Sequence, residues 1–342
     1  MAAKELHETA KALVAEGKGI LAADESTGTI KKRLDSIGVE STEENRRAYR
    51  ELLFTTEGVE EFISGVILYD ETIRQSSSDG TPFPKLLTSK GIIPGIKVDT
   101  GAKPLALAEG ETVTEGLDGL RDRLAEYREL GARFAKWRAT YSIDESKPSE
   151  YCIWVNAHAL ARYAALVQEA GLVPIVEPEV LMDGDHDLHT SAKTTGRVLN
   201  AVYTELHDQR LDLYGTLLKP NMVLSGYDAL NRAGVDEVAE ASLDEYDRHV
   251  PAAVPGIVFL SGGQSDEDAT AHLNAMNAGG PHPWQLSFSY GRALQAAPLK
   301  AWQGKPENIE AAQRAFYHRA KMNSAARSGM YAPEMEREAV AV

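Results

Sequence analysis

Residues 215–222 read GTLLKPNM, an apolar run that ends in a lysine. Leu217 and Leu218 precede Lys219, and Pro220 disfavours the helical conformation for the lysine itself. The pattern predicts a buried strand whose last residue carries an ammonium group, which is a costly place for a charge. A lysine there either extends its head to solvent or lowers its pKa and becomes a neutral, nucleophilic amine.

Seven further runs of the same kind recur along the chain. Each is short and apolar and ends in glycine or polar residues, as strands buried on both faces do. They are GILAADES (19–26), FISGVILYD (62–70), IIPGIKVD (92–99), ARFAKWR (132–138), VPIVEPE (173–179), GIVFLSGG (256–263) and WQLSFSYG (284–291). Helical patterns lie between most runs, including 112–131 and a helix capped by Asn156. Eight strand–helix units predict an α/β fold, a (β/α)8 TIM barrel that forms a single domain over residues 1–342.

The two ends of the chain lie outside this repeat. Leu6, Ala10 and Leu13 are spaced as on one face of a helix, which predicts an N-terminal amphipathic helix and not a secretory signal. Residues from about 330 to 342 are polar and lack helix caps. We expect them to form a flexible tail.

The composition narrows the function classes. Lys and Arg number 36 against 51 acidic residues, and the net charge of −15 argues against nucleic acid as a partner. No apolar run is long enough to span a membrane, so a membrane partner is not expected. The single cysteine, Cys152, fits a reducing compartment, and we predict a cytoplasmic protein.

Charged residues accumulate at the predicted strand ends. In a (β/α)8 barrel, catalytic groups stand at the C-terminal ends of the strands and face one mouth. The residues at these ends are Asp24 with Glu25, Lys97 with Asp99, Lys136 with Arg138, Glu177 with Glu179, and Lys219. Side chains two positions apart on a strand point the same way, so these charges are expected to converge on one cavity.

The residue types at these ends suit imine chemistry. Lys219 is the candidate nucleophile, and Lys136 nearby would lower its pKa by like-charge repulsion. Imine formation requires a hydroxyl group to be protonated and expelled, for which Glu177 is the candidate acid. An iminium accepts electrons as the adjacent carbon–carbon bond breaks, and Asp24 is the candidate base for the β-hydroxyl proton.

Two groups of residues are candidates for binding anions. SGGQS (261–265) exposes backbone N–H groups ahead of a helix that we expect Asp266 to cap, at the loop where phosphate-binding barrels hold phosphate. The first group comprises Ser261, Gly262 and Gly263, with Arg292 just beyond the eighth strand. The second group comprises Ser26, Thr29 and Arg33 after the first strand, together with Lys97.

Seven of these segments together resemble a known family. They are ILAADES, GIKVD, KWR, VEPE, LLKPNM, LSGGQS and FSYGRAL, and the likeness runs from about residue 5 to 325. The chain resembles the class I, Schiff-base-forming fructose-1,6-bisphosphate aldolases. The resemblance implies reversible cleavage of fructose 1,6-bisphosphate to dihydroxyacetone phosphate and glyceraldehyde 3-phosphate in glycolysis and gluconeogenesis. It also implies a sugar-phosphate substrate, a homotetramer, and no metal or other cofactor.

The resemblance also implies residue roles. Lys219 matches the imine-forming lysine, Glu177 the acid for dehydration and Asp24 the base for cleavage. The supporting active-site residues are matched by Lys136, Arg138, Glu179 and Lys97. The groups around the C1 phosphate are matched by Ser261, Gly262, Ser289, Gly291 and Arg292, and Ser26 matches one near the C6 phosphate. Thr29 stands where animal members usually carry serine. The family's C-terminal tyrosine, which assists proton transfer at C1, is absent, because the last tyrosine is Tyr331, and either Tyr331 or solvent is expected to take over that transfer.

Three alternatives remain at this point. DGDHDLH (183–189) holds three aspartates and two histidines, but an EF-hand loop would need glycine at Leu188 and glutamate at Thr194. A zinc site there lacks a third ligand, so a loop that caps the next helix is favoured. Another imine-forming barrel aldolase or a transaldolase would use similar residues. An inactive sugar-phosphate binder or scaffold would need only the cations.

Overall fold

The eight predicted strands form a closed parallel barrel. A computed structural model describes residues 2–340. The barrel strands are β1 (Gly19–Ala23), β2 (Ile63–Leu68), β3 (Ile93–Lys97), β6 (Phe134–Tyr141), β7 (Val173–Val180), β8 (Leu217–Leu218), β9 (Gly256–Phe259) and β10 (Gln285–Tyr290). Neighbours pair in this order, and β10 closes the ring by pairing with β1. The prediction of a (β/α)8 barrel in a single domain is therefore confirmed.

A two-stranded antiparallel hairpin was not predicted. It is formed by β4 (Gly101–Pro104) and β5 (Thr112–Glu115), and it follows β3 at the C-terminal end of the barrel. The prediction of one helix over 112–131 was wrong at its start. Gly116 and Gly119 have φ angles of 128° and 66°, which a residue inside an α-helix does not adopt. The helix therefore begins only at Leu120.

Helices surround the barrel. The α-helices are α1 (Ala2–Leu13), α2 (Thr27–Asp35), α3 (Glu43–Phe54), α4 (Asp70–Ile73), α5 (Phe83–Ser89), α6 (Leu120–Glu129), α7 (Glu150–Glu169), α8 (Leu188–Asp208), α9 (Val235–His249), α10 (Asp266–Ala278), α11 (Arg292–Trp302) and α12 (Ile309–Arg327). Short 3-10 helices span Val59–Glu61, Leu213–Gly215, Pro306–Asn308 and Pro333–Val340. No helix within residues 2–340 is long and apolar enough to cross a membrane.

The N-terminal helix closes the bottom of the barrel. Leu6, Ala10 and Leu13 of α1 are buried against inward-facing side chains such as Phe134 and Ile175. Each buried aliphatic or aromatic side chain stabilises the fold by about 1.5–3 kcal/mol. With this end filled by apolar side chains, the polar strand ends are left at the opposite mouth.

Two predicted helix caps were displaced. Asn156 lies inside α7, where its buried amide donates to the Thr112 carbonyl oxygen and accepts from the Thr114 amide, while Ser149 caps the helix. Asp266 is the first residue of α10, and Ser265 is its cap. Both sequence patterns were compatible with a cap, but Ser149 and Ser265 accept from the backbone amides three residues further on and take the cap positions.

The C-terminal segment packs against α10 and α12. Tyr331 is 8% exposed, and its backbone amide donates to the Asn274 side chain at 2.9 Å. Glu336 pairs with Arg319 and His318 on α12 at 2.6 and 2.8 Å. A flexible tail over about 330–342 remains a prediction, and residues 341–342 of it lie outside the described residues. The contacts above tie Tyr331 to α10 and Glu336 to α12.

Candidate active site

The C-terminal ends of the strands enclose a polar cavity of about 330 Å³. Fifteen of the sixteen predicted site residues line it. They are Asp24, Ser26, Thr29, Arg33, Lys97, Lys136, Arg138, Glu177, Glu179, Lys219, Ser261, Gly262, Ser289, Gly291 and Arg292. Gly263 does not line the cavity; it lies beside the Tyr227 hydroxyl, which a Cβ atom at this position would overlap.

Lys219 follows the shortest barrel strand. Its backbone amide donates to the Val176 carbonyl oxygen at 2.8 Å, which continues the β7–β8 pairing by one residue. The side chain is 5% exposed, and its Nζ atom lies 3.1 Å from Oε1 of Glu177. A buried amine beside a carboxylate can pass a proton to it and then act as a nucleophile.

Four charges of alternating sign run across the cavity floor. Lys136 Nζ lies 2.7 Å from Oδ2 of Asp24 and 3.0 Å from Oε2 of Glu177. Glu177 therefore contacts Lys136 with one oxygen and Lys219 with the other. Each side chain is at most 12% exposed. The order is Asp24, Lys136, Glu177 and Lys219, so every charge has an opposite neighbour.

This arrangement determines the protonation states. Burial alone would raise the pKa of Asp24 and of Glu177, but Lys136 and Lys219 hold each pKa below its ordinary value. Burial would lower the pKa of Lys136, but Asp24 and Glu177 hold it above the ordinary lysine value. Both carboxylates are thus ionised in the free site. Glu177 can act as an acid only after it has taken up a proton.

A second set of pairs lies beside this chain of charges. Glu179 accepts a short hydrogen bond from Arg138, and Asp99 lies 3.1 Å from Lys97 Nζ. Asp99 also accepts from the backbone amide of Arg138 at 3.3 Å. Asp99 and Glu25, to which the sequence patterns assign no specific role, both line the cavity.

Thr140 also lines the cavity but was not among the predicted site residues. Thr140 lies on β6 two residues beyond Arg138, and its Oγ1 atom is 3.1 Å from that of Thr112. The alternation that aligns Lys136 with Arg138 also places Thr140 on the same face. Thr140 was missed because the predicted strand ended at Arg138, whereas β6 continues for three more residues.

Groups suited to an anion meet at the start of α11. The Ser289 hydroxyl is buried without a hydrogen-bond partner among the described residues. Gly291 is the N-cap of α11, and within residues 2–340 no side chain caps this helix. Arg292 follows at its first position. Free N–H groups at a helix start, a hydroxyl and a guanidinium are the donors that phosphate binds.

The SGGQS loop faces the same region. Gly262 has a φ angle of 56°, and a Cβ atom there would overlap Met182, so glycine is required on both counts. Ser261 is 4% exposed. The following helix, α10, is capped by Ser265, and its residues do not line the cavity. The loop lines the cavity through Ser261 and Gly262.

The second anion group lies on α2. The hydroxyls of Ser26 and Thr29 are 3.2 Å apart, and Arg33 is one turn further along the same helix. Arg33 forms an ion pair of 2.5 Å with Glu25. Lys97 reaches the same side of the cavity and lies over the Tyr69 ring at 5.8 Å.

The acidic loop DGDHDLH caps a helix, as favoured from the sequence. The side chain of Asp187 accepts from the Thr190 amide at 2.8 Å at the start of α8. Both ring nitrogens of His186 are buried without partners among the described residues. Across residues 2–340 no three His, Cys, Asp or Glu side chains come together as metal ligands would.

Comparison with known proteins agrees with this geometry. Residues 5–341 match the family model described as fructose-bisphosphate aldolase class-I. The chain belongs to this family. Membership assigns it the family's aldolase activity, a carbon–carbon lyase reaction of glycolysis. Class I denotes the aldolases that form a Schiff base and work without a metal ion.

Individual relatives support the assignment along nearly the whole chain. A probable class 1 fructose-bisphosphate aldolase of Xylella fastidiosa is 58% identical, with 97% of this chain and 99% of the relative covered. The cytosolic fructose-bisphosphate aldolase 6 of Arabidopsis thaliana is 57% identical, with 96% and 92% covered. A Plasmodium falciparum aldolase, solved with TRAP and an inhibitor, superposes with a TM-score of 0.96 at 51% identity, covering 97% and 96%.

Proposed function

We propose that the chain cleaves fructose 1,6-bisphosphate through an imine on Lys219, with Glu177 and Asp24 moving the protons. The observation that carries the proposal is the alternating row of Asp24, Lys136, Glu177 and Lys219 at the barrel mouth. A binding protein for sugar phosphates would need the cations but not two carboxylates held ionised between them.

The first step joins Lys219 to the substrate ketone. The Lys219 ammonium gives a proton to Glu177 across 3.1 Å, and the neutral amine attacks the carbonyl carbon. Glu177 then returns the proton to the carbinolamine hydroxyl, and water leaves as the imine forms. The same carboxyl group therefore first accepts and then donates a proton, as its lowered pKa in the free site requires.

The second step breaks the carbon–carbon bond. Asp24 removes the proton of the β-hydroxyl. The bond between the carbon that carries this hydroxyl and the carbon next to the iminium then breaks, and its electron pair moves to the iminium nitrogen. Lys136 keeps Asp24 ionised, since it lies 2.7 Å away. Glyceraldehyde 3-phosphate leaves, and protonation and hydrolysis of the remaining enamine release dihydroxyacetone phosphate.

The two anion groups divide the substrate phosphates between them. Ser261, Gly262, Ser289, Gly291 and Arg292 are assigned to the C1 phosphate. Ser26, Thr29, Arg33 and Lys97 are assigned to the C6 phosphate. Arg138 and Glu179 pair with each other in the cavity wall, and the Arg138 side chain is 43% exposed. Tyr331 donates to Glu336 and does not line the cavity, so its position does not support a role as the proton carrier at C1.

The proposal includes a cytoplasmic homotetramer, as the family resemblance implies. One exposed face of α7 supports self-association, because Trp154 is 58% exposed and Tyr151 46% exposed. Large aromatic side chains are common in the centres of protein interfaces. Light scattering of the wild-type chain and of Trp154→Glu tests this part, with a smaller mass expected for the variant.

Borohydride trapping tests the mechanism. Reduction in the presence of dihydroxyacetone phosphate should attach a three-carbon adduct to Lys219, located by peptide mass, and activity should survive EDTA. Lys97→Met is the matched control, since it removes a cavity lysine that is not assigned to the imine. A label on another lysine would refute the assignment, and binding without trapping or turnover would indicate a scaffold. Turnover of donor sugar phosphates that lack the C1 phosphate would favour a transaldolase.

A further inference from the structure

Glu25, the residue after the proposed base, is the centre of a buried polar network. Its side chain is 4% exposed and forms ion pairs with Arg33 at 2.5 Å and Arg50 at 2.6 Å. The Gln295 amide also donates to Oε1 of Glu25 at 2.8 Å. Of these partners only Arg33 lines the cavity, whereas Arg50 and Gln295 lie behind it.

The charges of the network explain the need for Arg50. Glu25 and Arg33 alone would form a neutral pair, and a neutral pair attracts a phosphate weakly. Arg50, 2% exposed, adds a second positive charge on the far side of Glu25. The three side chains together carry a net charge of +1, so Arg33 remains a cation toward the cavity while Glu25 fixes its position.

Gln295 connects this network to the other phosphate site. Its amide nitrogen donates to the Ala22 carbonyl oxygen on β1 as well as to Glu25, both at 2.8 Å. Gln295 lies on α11, one turn after Gly291, and Arg33 lies 3.7 Å from where a Cβ atom of that glycine would be. The side chain is fully buried. Gln295 therefore fixes the start of α11 relative to β1 and α2.

We propose that Arg50 and Gln295 are positioning residues that set the preference for the bisphosphate over fructose 1-phosphate. They act through Glu25, which holds Arg33 toward the C6 phosphate. The inference rests on the proposed assignment of the two phosphates. Neither residue lines the cavity.

The test compares the kcat/KM values of the two substrates. Arg50→Met should lower kcat/KM for fructose 1,6-bisphosphate by about 10–100-fold, because the loss of a hydrogen bond to a charged group has an effect of this size. The kcat/KM for fructose 1-phosphate should change by less than about threefold. Arg50→Lys keeps the charge and should recover most of the loss. Gln295→Met removes the hydrogen bonds to Glu25 and to the Ala22 carbonyl oxygen without removing a charge. Because Gln295 also fixes the start of α11, this variant should lower kcat/KM for both substrates, with the larger loss for fructose 1,6-bisphosphate, and the ratio tests the effect if Arg50→Met fails to fold.

Gln313→Met is the matched control. Gln313 donates to the Leu52 carbonyl oxygen and Thr55 hydroxyl of the α3 segment at 3.1 and 3.0 Å but lies away from the cavity. It should leave the ratio of the two kcat/KM values unchanged. Equal losses for both substrates in Arg50→Met and Gln295→Met would overturn the inference. Trapping of dihydroxyacetone phosphate on Lys219 should persist in every variant; failure of trapping in the wild type would refute the proposed mechanism instead.

Discussion

The Nζ atom of Lys219 lies 3.1 Å from Oε1 of Glu177, and neither side chain is more than 5% exposed. The other oxygen of Glu177 lies 3.0 Å from Lys136. One carboxylate therefore serves two lysines with different tasks. Lys219 can give up its proton during the reaction, whereas Lys136 is held charged by Asp24 as well. The asymmetry between the lysines comes from the number of carboxylates each one contacts.

Glu177→Gln should slow imine formation. Glutamine keeps the size of the side chain but can neither accept the Lys219 proton nor donate one to the carbinolamine, so we expect kcat to fall by about 10²–10⁴-fold. Single-turnover trapping with borohydride measures the step directly. Glu111→Gln is the control, because Glu111 is a buried carboxylate that accepts from Ser149 and does not line the cavity, and it should form the imine at close to the wild-type rate. An unchanged rate in Glu177→Gln would assign the acid elsewhere.

Acidification should reduce the stability of the fold through Asp24. Burial raises its pKa, but Lys136 and Lys219 lower it further, so the folded pKa lies below the unfolded value of about 4. This contribution to the free energy of unfolding is complete above the unfolded pKa and is lost as pH falls toward the folded pKa. We expect the wild-type and Asp24→Asn curves from urea unfolding to converge between about pH 5 and pH 2. A constant difference over that range would contradict the ion pairing.

Ser289→Ala should weaken phosphate binding without destabilising the fold. Its buried hydroxyl has no partner among the described residues, so its removal costs the folded state no hydrogen bond. We expect the Kd for dihydroxyacetone phosphate to rise by about 10–100-fold, as for a lost hydrogen bond to a charged group. Ser287→Ala is the control on the same strand, because Ser287 donates to the Lys18 carbonyl oxygen at 2.8 Å. Ser287→Ala should lower Tm and leave Kd unchanged. A raised Kd in Ser287→Ala together with an unchanged Kd in Ser289→Ala would contradict the proposed phosphate site.

Glu336→Gln should release the C-terminal segment. Burial raises the pKa of Glu336, but hydrogen bonds from His318 and Arg319 lower it to about 2. Loss of the charge should cost this segment about 1–3 kcal/mol. Limited proteolysis should then cut near residue 330 faster, with unchanged trapping on Lys219. Glu334→Gln, an exposed neighbour, is the control. Equal cleavage rates in wild type and Glu336→Gln would show that the segment is already free.

The barrel and its central charges are predictable from short stretches of sequence. Strand burial on both faces requires a continuous apolar run, and a charge at the end of such a run is conspicuous. For that reason the local pattern alone identifies Lys219, Glu177 and Lys136. The β4–β5 hairpin was missed because its pairing depends on contacts across a turn, and 112–115 also fits a helical spacing.

The sequence by itself determined the family, the eight strands and the residue types at the barrel mouth, because each is encoded within a few neighbouring positions. Only the tertiary structure decided how the charges pair. Glu25 meets Gln295 across 270 positions, and Lys136 meets Asp24 across 112, separations over which local patterns carry no information. The protonation of Glu177 and the buried support of Arg33 depend on these long-range contacts, since a pKa or a side-chain position follows from what surrounds a group in space.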